Sequence, residues 1–275
     1  MDINDGVVTV NGAELHYDLA GAGHPLILVH AGICDRRMWQ PQWAALAEHF
    51  QVVRYDLRGF GQSAPPQPPL PYSHPADLAG LLDALGLRQV HLLGCSRGGN
   101  CALDLTLAQP ERVSALVLVS SAPSGYQPAQ PVPQSPQWPA VIAAFDAGDL
   151  ERAADLETQV WVDGPTRAPG QVDARIRDLV REMDLRAMRY EVAGLGDEQP
   201  PERPAAARLA EVRAPTLVIN GDIDAPITLS SSAALAAGIP GARHVVFEGC
   251  AHLLSMEQPA LFNQTVLDFL LGLGA

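Results

Sequence analysis

Six short, mostly apolar runs constrain what this chain can fold into: Leu26–Val29, Val52–Tyr55, Val90–Leu93, Ala115–Ser120, Leu217–Asn220 and His244–Phe247. Each is too short for a stable helix. Such runs, and above all the continuous Leu26–Val29, suit strands covered on both faces. Between them lie segments of helical period: Trp39–Phe50, Pro75–Leu85, and a run from Asn100 to Gln109, with a terminal helix near Glu257–Leu271. Such alternation predicts an α/β fold with a mostly parallel, doubly wound sheet. Val7–Val10 and Ala13–Leu19 flank Asn11-Gly12, a hairpin signal, so the sheet starts with an antiparallel pair.

The alternation stops at Ala122. Ser121–Pro139 is rich in Pro, Gln and Ser and reads as loop, Val141–Asp163 and Val172–Val192 read as helices, and Gly194–Pro204 is loop again. On the second helix Val172, Ile176, Leu179, Val180 and Met183 share one face. The strand pattern resumes at Pro215. This predicts a core from residues 1–121 and 209–275 and a helical cap, or lid, inserted as 122–208. Insertions at strand ends commonly cover sites.

Net charge is −13, which argues against nucleic acid or an anionic membrane as partner. Every basic residue counted among the 18 is arginine, so a lysine nucleophile or Schiff base is excluded. The acidic start lacks a signal-peptide pattern, and no run is long enough to span a membrane; a cytoplasmic protein is expected. Cys34, Cys95, Cys101 and Cys250 lack metal-ligand spacing and read as reduced packing thiols.

The chemistry gathers at strand ends. Gly94-Cys-Ser-Arg-Gly98 joins a strand to a helix in a turn so sharp that Ser96 must be strained. Side chains at 94 and 98 would collide, and glycine removes them. Asp222 and Asp224 follow the strand ending at Asn220, and His252 follows the one ending at Phe247. Ligands of an open parallel sheet bind outside its carboxyl edge, so these residues can meet. A serine hydroxyl needs an imidazole to take its proton, and the imidazole needs a carboxylate to fix its tautomer.

The order Ser, Asp, His and the motifs His30-Ala-Gly-Ile33, Asp56-Leu-Arg-Gly-Phe-Gly-Gln-Ser63, Gly94–Gly99, Gly221-Asp-Ile-Asp-Ala-Pro226 and Gly249–Pro259 resemble the α/β-hydrolase superfamily, in its serine esterase and enol-lactonase-like branch. The resemblance implies Ser96 as nucleophile, His252 as general base and then acid, and Asp224 as the carboxylate, with Asp222 the alternative. It implies an oxyanion hole of backbone N–H groups on Gly32 and Arg97; a register shifted by one would substitute Ile33. Ala31 departs from the usual glycine. His30 reads as a structural loop residue, and His16, His24, His49, His74, His91 and His244 as surface or packing residues.

The reaction implied is hydrolysis of a small-molecule carboxylic ester or lactone with no metal or organic cofactor. Ser96 sets aside the haloalkane dehalogenase and epoxide hydrolase branches, which carry Asp there. Carbon–carbon bond hydrolases, thioesterases and cofactor-free perhydrolases or haloperoxidases remain alternatives, and a slow-turnover ligand receptor is the alternative of another class. Ile33, Trp39, Trp138 and Trp161 are the expected pocket residues. Arg97, Arg175, Arg186 and Arg189 are candidates for an anionic substrate, although a solvated helix face is the better reading of the last three.

Overall fold

A computed structural model describes residues 4–168 and 170–274. Eight strands form one sheet: β1 (Asn4–Val10), β2 (Ala13–Ala20), β3 (Pro25–Val29), β4 (Gln51–Tyr55), β5 (Val90–Cys95), β6 (Val113–Val119), β7 (Thr216–Gly221) and β8 (Arg243–Phe247). Their order is β1-β2-β4-β3-β5-β6-β7-β8. The first two strands form the expected antiparallel hairpin, β2 pairs antiparallel with β4, and every later pairing is parallel.

The inner strands β3 to β7 are buried on both faces because alternate residues feed two separate cores; β8, at the sheet edge, departs from the expected cover, with Val246 48% exposed. Leu26 and Leu28 join one cluster with Trp39, Trp43 and Phe262, while Ile27 and Val29 join another with Leu78, Leu81 and Leu103. Helices cover both sides: α1 (Gln40–Ala47) and, later, α9 (Pro259–Gly272) on the first face, α2 (His74–Ala84) and α3 (Arg97–Ala108) on the second. A fully buried apolar side chain contributes roughly 1.5–3 kcal/mol, so a one-residue register slip would move many such groups between faces.

The segment between β6 and β7 holds α4 (Trp138–Asp146), α5 (Leu150–Thr158) and α6 (Ala174–Gly194). The single helix expected over 141–163 is broken. Gly148 takes a left-handed φ of 76°, and Asp149 caps the next helix by accepting from Arg152 N–H. A wide π turn, Gln159–Asp163, ends the second piece. The helices pack on each other through Ala153, Ala154, Leu185 and Met188, and onto the sheet through Val162, Val180 and Met183.

Helix α7 (Pro226–Gly238), after β7, has no apolar period in the sequence, since its buried face is Thr228, Ser231, Ser232 and Leu235. Of these small polar residues Ser231 meets the backbone, its Oγ donating to Ser121 O at 2.8 Å. A short α8 (Leu254–Glu257) precedes α9. Among the described residues no helix is long and apolar enough to cross a membrane.

Candidate active site

The turn from β5 to α3 has the strain its glycines predict. Ser96 sits at φ 52° and ψ −115°. A Cβ on Gly94 would lie 2.3 Å from Gly98 O, and one on Gly98 would lie 2.2 Å from Val29 O. Both distances are impossible for real atoms, so the turn cannot form with any other residue at either position. Ser96 N–H donates to Val119 O at 2.8 Å, locking the turn to the end of β6. The side chain of Ser96 is left at the N-terminal end of α3, where unpaired N–H groups favour negative charge.

At the neighbouring strand ends, His252 Nδ1 lies 2.9 Å from Asp224 Oδ2 and 3.1 Å from Oδ1. Both side chains are buried. Asp222 does something else: it is exposed and accepts from Gly249 N–H at 2.7 Å, tying the β7 and β8 loops together. The Asp222 alternative is therefore not supported by the geometry. Cys95 Sγ rests 4.0 Å from His252 O, so the serine turn and the histidine loop abut. Burial pushes the Cys34 and Cys95 thiols up, and neither supplies a thiolate.

The loop after β3 faces the same point. Cys34 N–H donates to Ala31 O at 3.0 Å, which makes Gly32 and Ile33 the middle of a turn. A Cβ on Gly32 would stand 3.0 Å from Arg97 Nε, so this turn lies against the residue following Ser96. His30 is wholly buried and structural. Its Nε2 accepts from Leu57 N–H at 2.9 Å, which places the proton on Nδ1, donated to Ala31 O at 2.8 Å. Burial lowers its pKa, which keeps it neutral. Asp56 braces the loop by accepting from Arg36 N–H and Gln62 N–H, each at 2.8 Å.

A cavity of about 1160 Å³ lies between these strand ends and the inserted helices. Gly32, Ile33, Ser96, Arg97, Trp138, Trp161 and His252 line it. Trp161 packs on His252 with ring centroids 4.5 Å apart, and Trp138 meets Trp161 edge-on at 5.8 Å.

The family model for the alpha/beta hydrolase fold matches residues 24–259. The chain belongs to the alpha/beta hydrolase fold family. A protein of Azorhizobium caulinodans named as a carbamate hydrolase, RutD, is 30% identical over 94% of this chain and 95% of its own length. A 2-hydroxy-6-oxononadienedioate/2-hydroxy-6-oxononatrienedioate hydrolase of Pseudomonas putida is 28% identical over 94% of this chain and 91% of its own. Among solved structures, the enol-lactonase of Burkholderia xenovorans LB400 superposes with a TM-score of 0.77 at 27% identity, covering 97% of this chain and all of that one, 100%.

One expected pocket residue of this alpha/beta hydrolase is elsewhere. Trp39 is completely buried against Phe262, ring centroids 6.2 Å apart, and does not line the cavity. It is the last residue of a short helical turn, Arg36–Trp39, and joins the core beside the sheet, while the Arg54 guanidinium lies over the neighbouring Trp43. The inserted arginines are also outside. Arg175 bonds Asp173, while Arg186 and Arg189 bond Glu182 and Glu151.

Unexpected residues take their place on the cavity wall: Asp104, Asp146, Glu157, Asp184, Glu191 and Glu198, with His74 and Ser120. Arg97 is the arginine on the wall, and its guanidinium bonds Glu198 at 2.8 Å. A signal for the acidic residues existed on α6. Val180, Asp184 and Glu191 are four and seven residues apart, so two carboxylates sit in what looked like an apolar stripe.

Proposed function

We propose that this alpha/beta hydrolase cleaves a carboxylic ester or lactone of a small molecule through an acyl-enzyme on Ser96. The supporting observation is the buried Asp224–His252 pair whose imidazole lines the cavity shared with the strained Ser96. With Nδ1 held by the carboxylate, the ring presents Nε2 as a base. Ser96 attacks the acyl carbonyl while His252 takes its proton. The N–H groups of Gly32 and Arg97 stabilise the tetrahedral oxyanion, a contribution of about 3–4 kcal/mol per donor in comparable sites. His252 then protonates the departing alcohol, and water releases the acid by the same route. Residues 122–208 act as the cap that sets which substrates enter.

The wall composition favours this reading over carbon–carbon bond cleavage of a dioate, the reaction in the Pseudomonas putida relative's name. Two substrate carboxylates would face six carboxyl side chains and one arginine already paired with Glu198. The test is a rate comparison across short and long acyl esters, five- and six-membered lactones, thioesters and a ring-cleavage dioate. Steady ester or lactone turnover with a burst from a nitrophenyl ester supports the proposal. Turnover of the dioate alone overturns it, and a single slow turnover with no steady rate points to a ligand receptor.

A further inference from the structure

On the reading that Ser96 acylates, we propose that the cap wall formed by Glu157, Asp184 and Glu191 is a subsite for an organic ammonium group on the substrate. Glu157 comes from α5, and Asp184 and Glu191 lie about two turns apart on one face of α6; all three line the catalytic cavity. None of the three has a cationic partner among the described residues, in contrast to Glu151, Asp155 and Glu182 on the outer faces, which bond Arg181, Arg189 and Arg37.

The site is open for bonding in a second respect. Asp184 is only 4% exposed, yet its Oδ2 has no hydrogen-bond partner. Elsewhere around the cavity, Ser120 Oγ after β6 and both ring nitrogens of His74 at the start of α2 are buried and equally unpartnered. A buried acceptor left without a partner is costly, and one on the lining of a cavity can be satisfied by a bound ligand.

Ammonium rather than a neutral donor follows from the surroundings. Burial and the charge of Glu191 raise the Glu157 carboxyl to about 7, and burial with the charge of Glu157 pushes Asp184 well above the usual carboxylate range. A fixed cation among these three crowded carboxyls favours their ionised forms, which a neutral donor does not. Arg97, the facing cation, is paired with Glu198. Trp161, four residues beyond Glu157, and Trp138 add aromatic faces to the same wall, the second element of ammonium recognition.

The experiment compares acetylcholine with its uncharged isostere 3,3-dimethylbutyl acetate and with the anion 3-acetoxypropanoate. In the native protein kcat/KM for acetylcholine should exceed that for the isostere by at least about tenfold, ~1.4 kcal/mol. Asp184→Asn and Glu191→Gln should each bring that ratio toward one; Glu191 is exposed, so the second variant tests the idea without threatening the fold. A native ratio near one, a preference for the anion, or a ratio that survives both substitutions overturns the subsite. Calorimetric titration with choline, which has no acyl group, separates this proposal from the acyl-enzyme one. Choline binding that weakens in both variants sustains the subsite even if no ester is cleaved, and no choline binding overturns it even if neutral esters are.

Discussion

Trp161 holds His252 at two points. The rings meet at a tilt of 42° with centroids 4.5 Å apart, and His252 N–H donates to Trp161 O at 3.3 Å. One residue of the insertion thus fixes both the backbone and the ring of the proposed base. The next turn strengthens the link. Arg167 bonds Val162 O, Gly249 O and the Glu257 carboxylate, and Glu257 accepts from Ala251 N–H at 3.0 Å. The insertion and the histidine loop are one mechanical unit.

Trp161→Ala should therefore lower kcat as well as raise KM. A base displaced by about 1 Å can cost on the order of a hundredfold, so the expected loss in kcat/KM on a nitrophenyl ester is about tenfold to a hundredfold. Circular dichroism should show an unchanged fold. A change in KM alone would mean the ring only shapes the pocket.

The two acids after β7 should separate cleanly. Asp224→Asn removes the acceptor that fixes the His252 tautomer, and a loss of about 10³–10⁴-fold in kcat is expected. Asp222→Asn removes one exposed acceptor for Gly249 N–H and should change kcat by less than about fivefold. Steady-state kinetics of both variants, with fluorophosphonate labelling of Ser96, decide the assignment. Equal losses would show that Asp222 is needed to place the histidine loop.

Glu157 makes stability depend on pH in a definite direction. Its carboxyl is raised from 4.5 to about 7, chiefly by burial and then by Glu191, with Arg97 opposing. The folded state thus holds the proton more tightly than the unfolded chain. This contribution is complete below about pH 4.5, and it is lost as the pH rises through about 7. Asp184, facing it and raised by burial and by Glu157, acts in the same direction. Glu157→Gln should therefore gain a few degrees in Tm relative to the native protein between pH 5 and pH 8. Parallel Tm curves would contradict the raised carboxyl.

The buried pair Arg58–Asp77 should matter for folding alone. Nε lies 2.8 Å from Oδ2 and Nη2 lies 2.9 Å from Oδ1, and both side chains are almost fully excluded from water. Asp77→Asn leaves a buried guanidinium without its counter-charge, at a cost of about 3–5 kcal/mol. Urea unfolding measures it, and a shift of under about 1 kcal/mol would show that Asn11 and Tyr72 suffice to hold Arg58.

Much of the site could be read before the fold was seen, because its constraints are local. Gly94 and Gly98 are required by clashes within one turn, and apolar runs of strand length report burial on both faces. Helix α7 escaped because a buried face made largely of Ser and Thr leaves no apolar period. Trp39 misled for a related reason: an aromatic beside a site motif has the same composition whether it turns toward a ligand or toward Phe262.

The sequence by itself determined the sheet, the strained serine turn and the chain order of Ser96, Asp224 and His252, since each depends on steric or hydrophobic patterns within a few residues. Tertiary structure decided which aspartate meets the imidazole, and it turned the wall of the cavity acidic. Asp104, Glu157, Asp184 and Glu198 lie far apart in the chain and carry no shared motif. They act together only because α3, α5, α6 and the loop after α6 converge on one cavity, where carboxyl groups distant in sequence come close enough to interact.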